Sequence, residues 1–171
     1  MKAKKDESMQ SEAQQWACQL ESLGRHVLAL CEHCSEDLLH WSSAYFDLSS
    51  LYSLATQLIQ EIECWVLIPI GERRLVQDQN AGYLHQSTFA DLTTSYEGWI
   101  QEVHQILDNL PDSFLNLYVG SRFGTSTGRI ETKAPTVRMC LFKAIERCAV
   151  LLGHMEVTRQ LAPGKKLSHA I

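Results

Sequence analysis

Apolar residues in this chain recur at alternating steps of three and four, a spacing that collects them on one face only if the backbone is α-helical. Trp16, Leu20, Leu23, Val27, Leu30 and Cys34 form the first such seam. Ser11 stands ahead of it with Gln14 three residues on, the pair that closes a capping box. A second seam takes in Leu38, Trp41, Tyr45, Leu48, Tyr52, Ala55, Leu58 or Ile59, Ile62 and Val66. The step from Cys34 to Leu38 is four where three is due, which shifts the face. That slip predicts a break at Ser35, rather than a stutter in one long helix, with Glu36 and Asp37 in the new first turn where carboxylates suit the helix dipole. The new helix is expected to run on until Pro69 and Gly71 stop it.

The cleanest seam is the third: Phe89, Leu92, Tyr96, Trp99, Val103, Ile106 and Leu110, ended by Pro111. Gly98 lies inside it at a cost of about 1 kcal/mol relative to alanine, which suggests a close helix approach. Asp112 is placed to cap a short turn through Phe114, Leu115 and Leu117. Pro135 suits the first turn of a last helix, whose seam is Val137, Leu141, Ala144 or Ile145, Cys148, Leu151 or Leu152, and Met155. Strand-like alternation is nowhere sustained, although Tyr118-Val119 and residues 127 to 130 could pair briefly. The expected fold is therefore all-α, a four- to five-helix bundle with heptad-like apolar seams. One domain over residues 11–162 is expected, with long connections near 69–86 and 120–134 and flexible ends at 1–10 and 163–171.

A chain of 171 residues, 45% hydrophobic and 20% charged, is long enough to bury a core without disulfides or a structural metal. Its longest unbroken apolar run, Trp65-Val66-Leu67-Ile68-Pro69-Ile70, is far short of the roughly 18 to 20 residues of a membrane span. The start, Met1-Lys2-Ala3-Lys4-Lys5-Asp6-Glu7-Ser8, runs into polar sequence without the apolar stretch of a secretory signal. An intracellular, cytoplasmic protein is expected, with the nucleus open to it. Cys18, Cys31, Cys34, Cys64, Cys140 and Cys148 are accordingly expected to be reduced.

The formal net charge of −5 conceals a division along the chain. Residues 1–120 hold 6 Lys and Arg against 17 Asp and Glu, giving −11; residues 121–171 hold 9 against 3, giving +6. The basic residues Arg122, Arg129, Lys133, Arg138, Lys143 and Arg147 are candidates for meeting nucleic acid or an acidic protein. Acidic helices of the same fold can also satisfy them, and the overall charge is not that of a dedicated duplex binder.

Candidate chemistry is sparse. The loop from Gly120 to Arg129 has glycines that would let amides approach a phosphate, but it lacks the order of a Walker loop and reads better as a connection. Cys31, His33 and Cys34 offer half a zinc site with no second ligand pair at similar spacing. His26, His33 and His40 recur every seven residues, about 10 Å apart on a helix and too far to share an ion. Asp37 and His40 have the spacing of one carboxylate–histidine pair of a di-iron site, without the second pair. Trp16, Trp41, Trp65 and Trp99 sit on or next to seams, as core residues or as anchors for a partner.

Arg147 and His154 are separated by six residues, a spacing that resembles the upper end of the Arg-x4-6-His motif of HEPN-type helical ribonucleases. In that family the residue after the arginine is usually polar, and here it is Cys148. The resemblance implies that Arg147 holds a scissile phosphate while His154 acts as acid or base. Two expectations follow. The first is a non-enzymatic helical interaction subunit or adaptor that needs no cofactor and works with a protein partner or as a homo-oligomer. The alternative is a HEPN-like RNA-binding protein or ribonuclease using Arg147 and His154.

Overall fold

The computed structural model describes residues 10–43, 48–73, 88–119 and 134–162. The described chain is all-α. There are four long helices, α1 (Glu12–Cys31), α3 (Leu51–Ile62), α4 (Phe89–Leu107) and α5 (Val137–Leu161), with a single-turn α2 (Glu36–Leu39) between α1 and α3. A π-helical turn, Glu63–Leu67, extends α3, and a 3₁₀ turn, Asp112–Asn116, follows α4. Two isolated antiparallel bridges, Ser43 with Leu48 and Tyr118 with Thr136, are the only extended pairings among the described residues. The expected flexible ends, residues 127–130 and most of the two long connections lie outside those residues.

Local chemistry accounts for where the helices start. Ser11 accepts a hydrogen bond from the Gln14 N–H while the Gln14 side chain accepts from the Ser11 N–H, the reciprocal box read from the sequence. Thr88 and Asp91 form the same box at α4, and Thr136 caps α5 through the Met139 N–H. Ser35 does cap a new helix, through the Leu38 N–H. That helix is not the long one expected from Ser35 to Val66, because it ends after four residues and Ser50 caps a fresh start at Leu51. Serine favours caps and turns over helix interiors, so the serines at 42, 43, 49 and 50 break the backbone that the apolar spacing alone would have joined. Toward Pro69 the ladder widens: Ile68 N–H donates to the Glu63 carbonyl and Gly71 N–H to that of Val66. A proline ring clashes with the carbonyl four residues back, and widening the turn relieves that clash.

α1 packs on α4 and α5, and α3 packs on the same two helices, so each of the four long helices touches two others in ring order. The buried faces of this ring follow the expected spacing on α5, whereas on α1 Trp16, Leu23, Leu30 and Cys34 of the expected seam are only half-buried and Ala13, Ala17 and Cys31, outside it, are buried. Leu20, Val27 and Cys31 of α1 and Leu51, Leu58 and Ile62 of α3 are fully buried. Tyr96 and Leu107 of α4, with Leu141, Cys148 and Met155 of α5, complete the core. Tyr96 donates its hydroxyl to the Ala55 carbonyl at 2.9 Å, tying α4 to α3 inside the core. Burial pushes its phenol well above the ordinary range, so it stays a neutral donor. The close helix approach expected at Gly98 lies elsewhere. A Cβ at Gly98 would meet nothing within 4 Å, whereas one at Gly24 would stand 2.6 Å from the Trp99 ring.

Candidate functional site

The polar groups between helices are best described from α1 outward. Asp112 accepts hydrogen bonds from the Glu12 and Ala13 N–H groups at 3.2 and 3.1 Å, so a residue of the 3₁₀ turn caps α1 from a distance. Arg138 grips Glu12 with both arms of its guanidinium, at 3.0 and 2.7 Å, and donates to Asn116. Arg25 forks onto Glu97 of α4 and reaches Glu21 at 3.4 Å. On the third side, His26 stands 3.5 Å from Glu156 of α5.

His104 bridges two carboxylates, its Nε2 at 2.9 Å from Glu21 and its Nδ1 at 3.3 Å from Asp108. Partial burial lowers the proton affinity of this imidazole, but the hydrogen bonds to Glu21 and Asp108 outweigh it and raise the pKa above the ordinary 6.5. Glu21 moves the other way, below 4.5, chiefly through its bond to His104. A raised histidine contributes stability that is complete below its unfolded value and is lost as pH rises through the folded one. A depressed carboxylate contributes above its unfolded value and loses that contribution as pH falls through the folded one. Together these place the full strength of the bridge between pH 4.5 and 6.5. A His104→Gln variant is therefore expected to fall behind the wild type by up to about 1 kcal/mol near pH 6, and to approach it near pH 9, for a pair this solvated. Urea unfolding at the two pH values checks this; an equal gap at both would assign His104 to packing alone.

The sequence-derived candidates scatter rather than converge. Arg138 is engaged by Glu12, and Lys143 is paired with Glu146 at 2.6 Å within α5. Arg122, Arg129 and Lys133, with the whole glycine-rich loop, lie outside the described residues. Arg147 and His154 are both exposed on α5. Seven residues of helix separate them by about 10.5 Å along the axis. Cys31 is buried in the core, its thiol pushed up to about 12 by desolvation, while His33 is exposed and Cys34 donates to the Leu30 carbonyl. Among the described residues no group of three or more His, Cys, Asp or Glu is placed to hold a metal ion. All six cysteines are free thiols, and Cys18 and Cys64 are exposed.

The tryptophans divide. Trp99 is in the core at 3% exposure, stacked edge-on against Tyr96, and its indole N–H has no partner among the described residues. Trp16 and Trp65 are half-buried and donate to Glu12 at 3.3 Å and Glu61 at 3.0 Å, each one turn back on its own helix. Trp41 is half-buried. A shallow open groove of about 330 Å³ runs over Tyr52, Ser53, Thr56, Gln57 and Gln60 on α3. Its hydroxyls and amides can hydrogen-bond a ligand, but they supply no acid–base pair.

The feature that sequence reasoning missed is the outer face of α5. Most amphipathic helices are apolar on one side. α5 buries Val137, Cys140, Leu141, Ala144, Cys148, Leu151, Leu152 and Met155, yet on the opposite side Met139, Phe142, Val150, Val157 and Leu161 are 46–54% exposed. Their own spacing, at 139, 142, 150, 157 and 161, steps by three, eight, seven and four, which places them on one side of a helix and was legible. Phe114, Leu117 and Tyr118 are also exposed, and the Val137 N–H bond to the Leu117 carbonyl holds them beside the start of α5. Among the described residues no helix is long and apolar enough to cross a membrane. Comparison with known proteins finds no matching family model, no matching curated protein and no matching solved structure.

Proposed function

We propose that this protein is a non-enzymatic helical interaction subunit, a four-helix bundle with heptad-like seams that works by packing against a protein partner. The apolar outer face of α5 carries this reading. A helix with one apolar stripe completes a core, and α5 has a second stripe turned away from it. Scattered surface hydrophobes are ordinary, but a row of five along one helix marks an interaction surface. Arg147 lies on the same exposed helix and forms no salt bridge among the described residues, which leaves it available to an acidic group of a partner.

The test is capture of partners from the native cell by a tagged chain, wild type against a Phe142→Glu, Val157→Glu double variant. Both positions are about half exposed, so the double variant is expected to fold and to lose the protein that the wild type retains. Retention of the same proteins by both chains would overturn the assignment of this face. Salt-sensitive RNA binding abolished by Arg147→Ala, His154→Ala would instead support the ribonuclease-like alternative.

A further inference from the structure

We infer that the outer face of α5 pairs with the same face of a second copy of this chain, antiparallel and crossing near Val150. The inference rests on the interaction reading above and names its partner. Three observations select a second copy.

The first is symmetry. Phe142 and Val157 lie eight and seven residues from Val150, and Met139 and Leu161 each lie eleven. In a two-fold pair the residue that i touches on the partner touches i in return. An antiparallel crossing at Val150 therefore sets Phe142 over the partner's Val157 and Met139 over the partner's Leu161, with no apolar residue of the stripe left over. It also sets Glu146 and His154, each four residues from the crossing, opposite one another across the pair.

The second is the shape of the middle. Ala149 and Gly153 flank Val150, while the bulky residues stand at the two ends. Gly153 is an exposed glycine inside a 25-residue helix, and a Cβ there would meet nothing within 4 Å. Such a glycine costs about 1 kcal/mol relative to alanine with no return inside the single chain. A second helix crossing at this point gives it a role, because small residues let two backbones approach.

The third is area and charge. The five residues of the stripe, at 46–54% exposure, offer on the order of 80–100 Å² each, roughly 400–500 Å², and Phe114, Leu117 and Tyr118 beside the start of α5 bring the exposed apolar surface to roughly 700 Å². One partner of a standard-size interface buries about 800 Å². The charges on the outer side and flanks of α5 come close to balance, Arg138, Lys143 and Arg147 against Glu146 and Glu156, although the chain carries −5. A balanced face meets its own copy without repulsion, whereas a strongly acidic or basic partner would be matched by a surplus of the opposite sign.

The experiment is light-scattering mass of the purified chain from about 1 to 200 µM, followed by cross-linking with a short bismaleimide. Residues Cys18, Cys34 and Cys64 are first replaced by serine to leave only buried thiols. The wild type is expected to move from 19.4 kDa toward twice that mass as concentration rises. Phe142→Glu, Val157→Glu is expected to weaken pairing about a hundredfold, as loss of two apolar anchors does, with the helical circular-dichroism signal unchanged. Val150→Cys is expected to link to itself. Phe142→Cys and Val157→Cys link only when the two proteins are mixed, since an antiparallel pair holds the two 142 positions about 24 Å apart.

A chain that stays at 19.4 kDa throughout overturns self-pairing. So does a dimer indifferent to the double variant, or a 142-to-142 link. A monomer whose α5 face still captures a different protein in the cell would leave the interaction reading standing and remove only the second copy.

Discussion

Replacing Gly24 with alanine is expected to destabilise the fold by up to about 2 kcal/mol, the balance of an overpacking cost of about 1–3 and a helix-propensity gain of about 1. The new Cβ would stand 2.6 and 2.9 Å from two atoms of the Trp99 ring and 3.3 Å from Ile100 Cδ1, distances that force α1 and α4 apart or the indole off its rotamer. Gly98→Ala on the exposed side of α4 meets nothing within 4 Å and is expected to gain about 1 kcal/mol from propensity alone. The same chemical change thus has opposite signs at two positions. A double-mutant cycle locates the cause. Trp99→Phe withdraws the ring atoms that crowd position 24 and removes a buried N–H that has no partner among the described residues, an orphan that costs on the order of 1–3 kcal/mol. Gly24→Ala is therefore expected to cost little in the Trp99→Phe background, giving a coupling energy of about 1 kcal/mol or more. Additive losses in urea unfolding would show that Trp99 is not what Gly24 makes room for.

Gly24 also shows what the sequence could and could not disclose. Helix identity, the Ser11 box, the Ser35 break and the α5 core seam were all readable, because each depends on residues within a turn or two of one another. The glycine that matters was not separable from the one that does not, since Gly24 and Gly98 differ only in what another helix brings against them. The span from Leu38 to Val66 failed for a related reason. Apolar spacing persisted across Ser49 and Ser50 while the backbone left the helix, so periodicity outlasted the structure it was taken to mark. Distant capping escaped entirely. Asp112 reads locally as the cap of its own turn, and only the tertiary fold puts its carboxylate on the N–H groups of Glu12 and Ala13. The candidate site was the least legible part. Seeking one seam per helix stops once a core face is found, and the outer row of α5 came into view only when burial divided its apolar residues into two sets.

That division sets up a strong stability contrast at two adjacent positions. Leu141 is fully buried among the seams of the ring, and Leu141→Ala is expected to cost about 2–5 kcal/mol, the lost transfer energy plus the cavity left behind. A stability of 5–15 kcal/mol is typical of a domain this size, so one such change removes a large share of it. Phe142 is 54% exposed and, for all its greater bulk, Phe142→Ala is expected to stay within about 0.5 kcal/mol of the wild type when measured on the monomer. Urea unfolding of both variants at concentrations too low for self-association reads this contrast directly. The ranking is then expected to invert in association, where the surviving Leu141→Ala chain pairs normally and Phe142→Ala pairs weakly. Each residue lies on one side of the helix: Leu141 is buried in the core, and Phe142 is exposed on the face proposed to meet a second copy. A large loss of monomer stability from Phe142→Ala would place that ring within the chain's own core and leave α5 with a single working face.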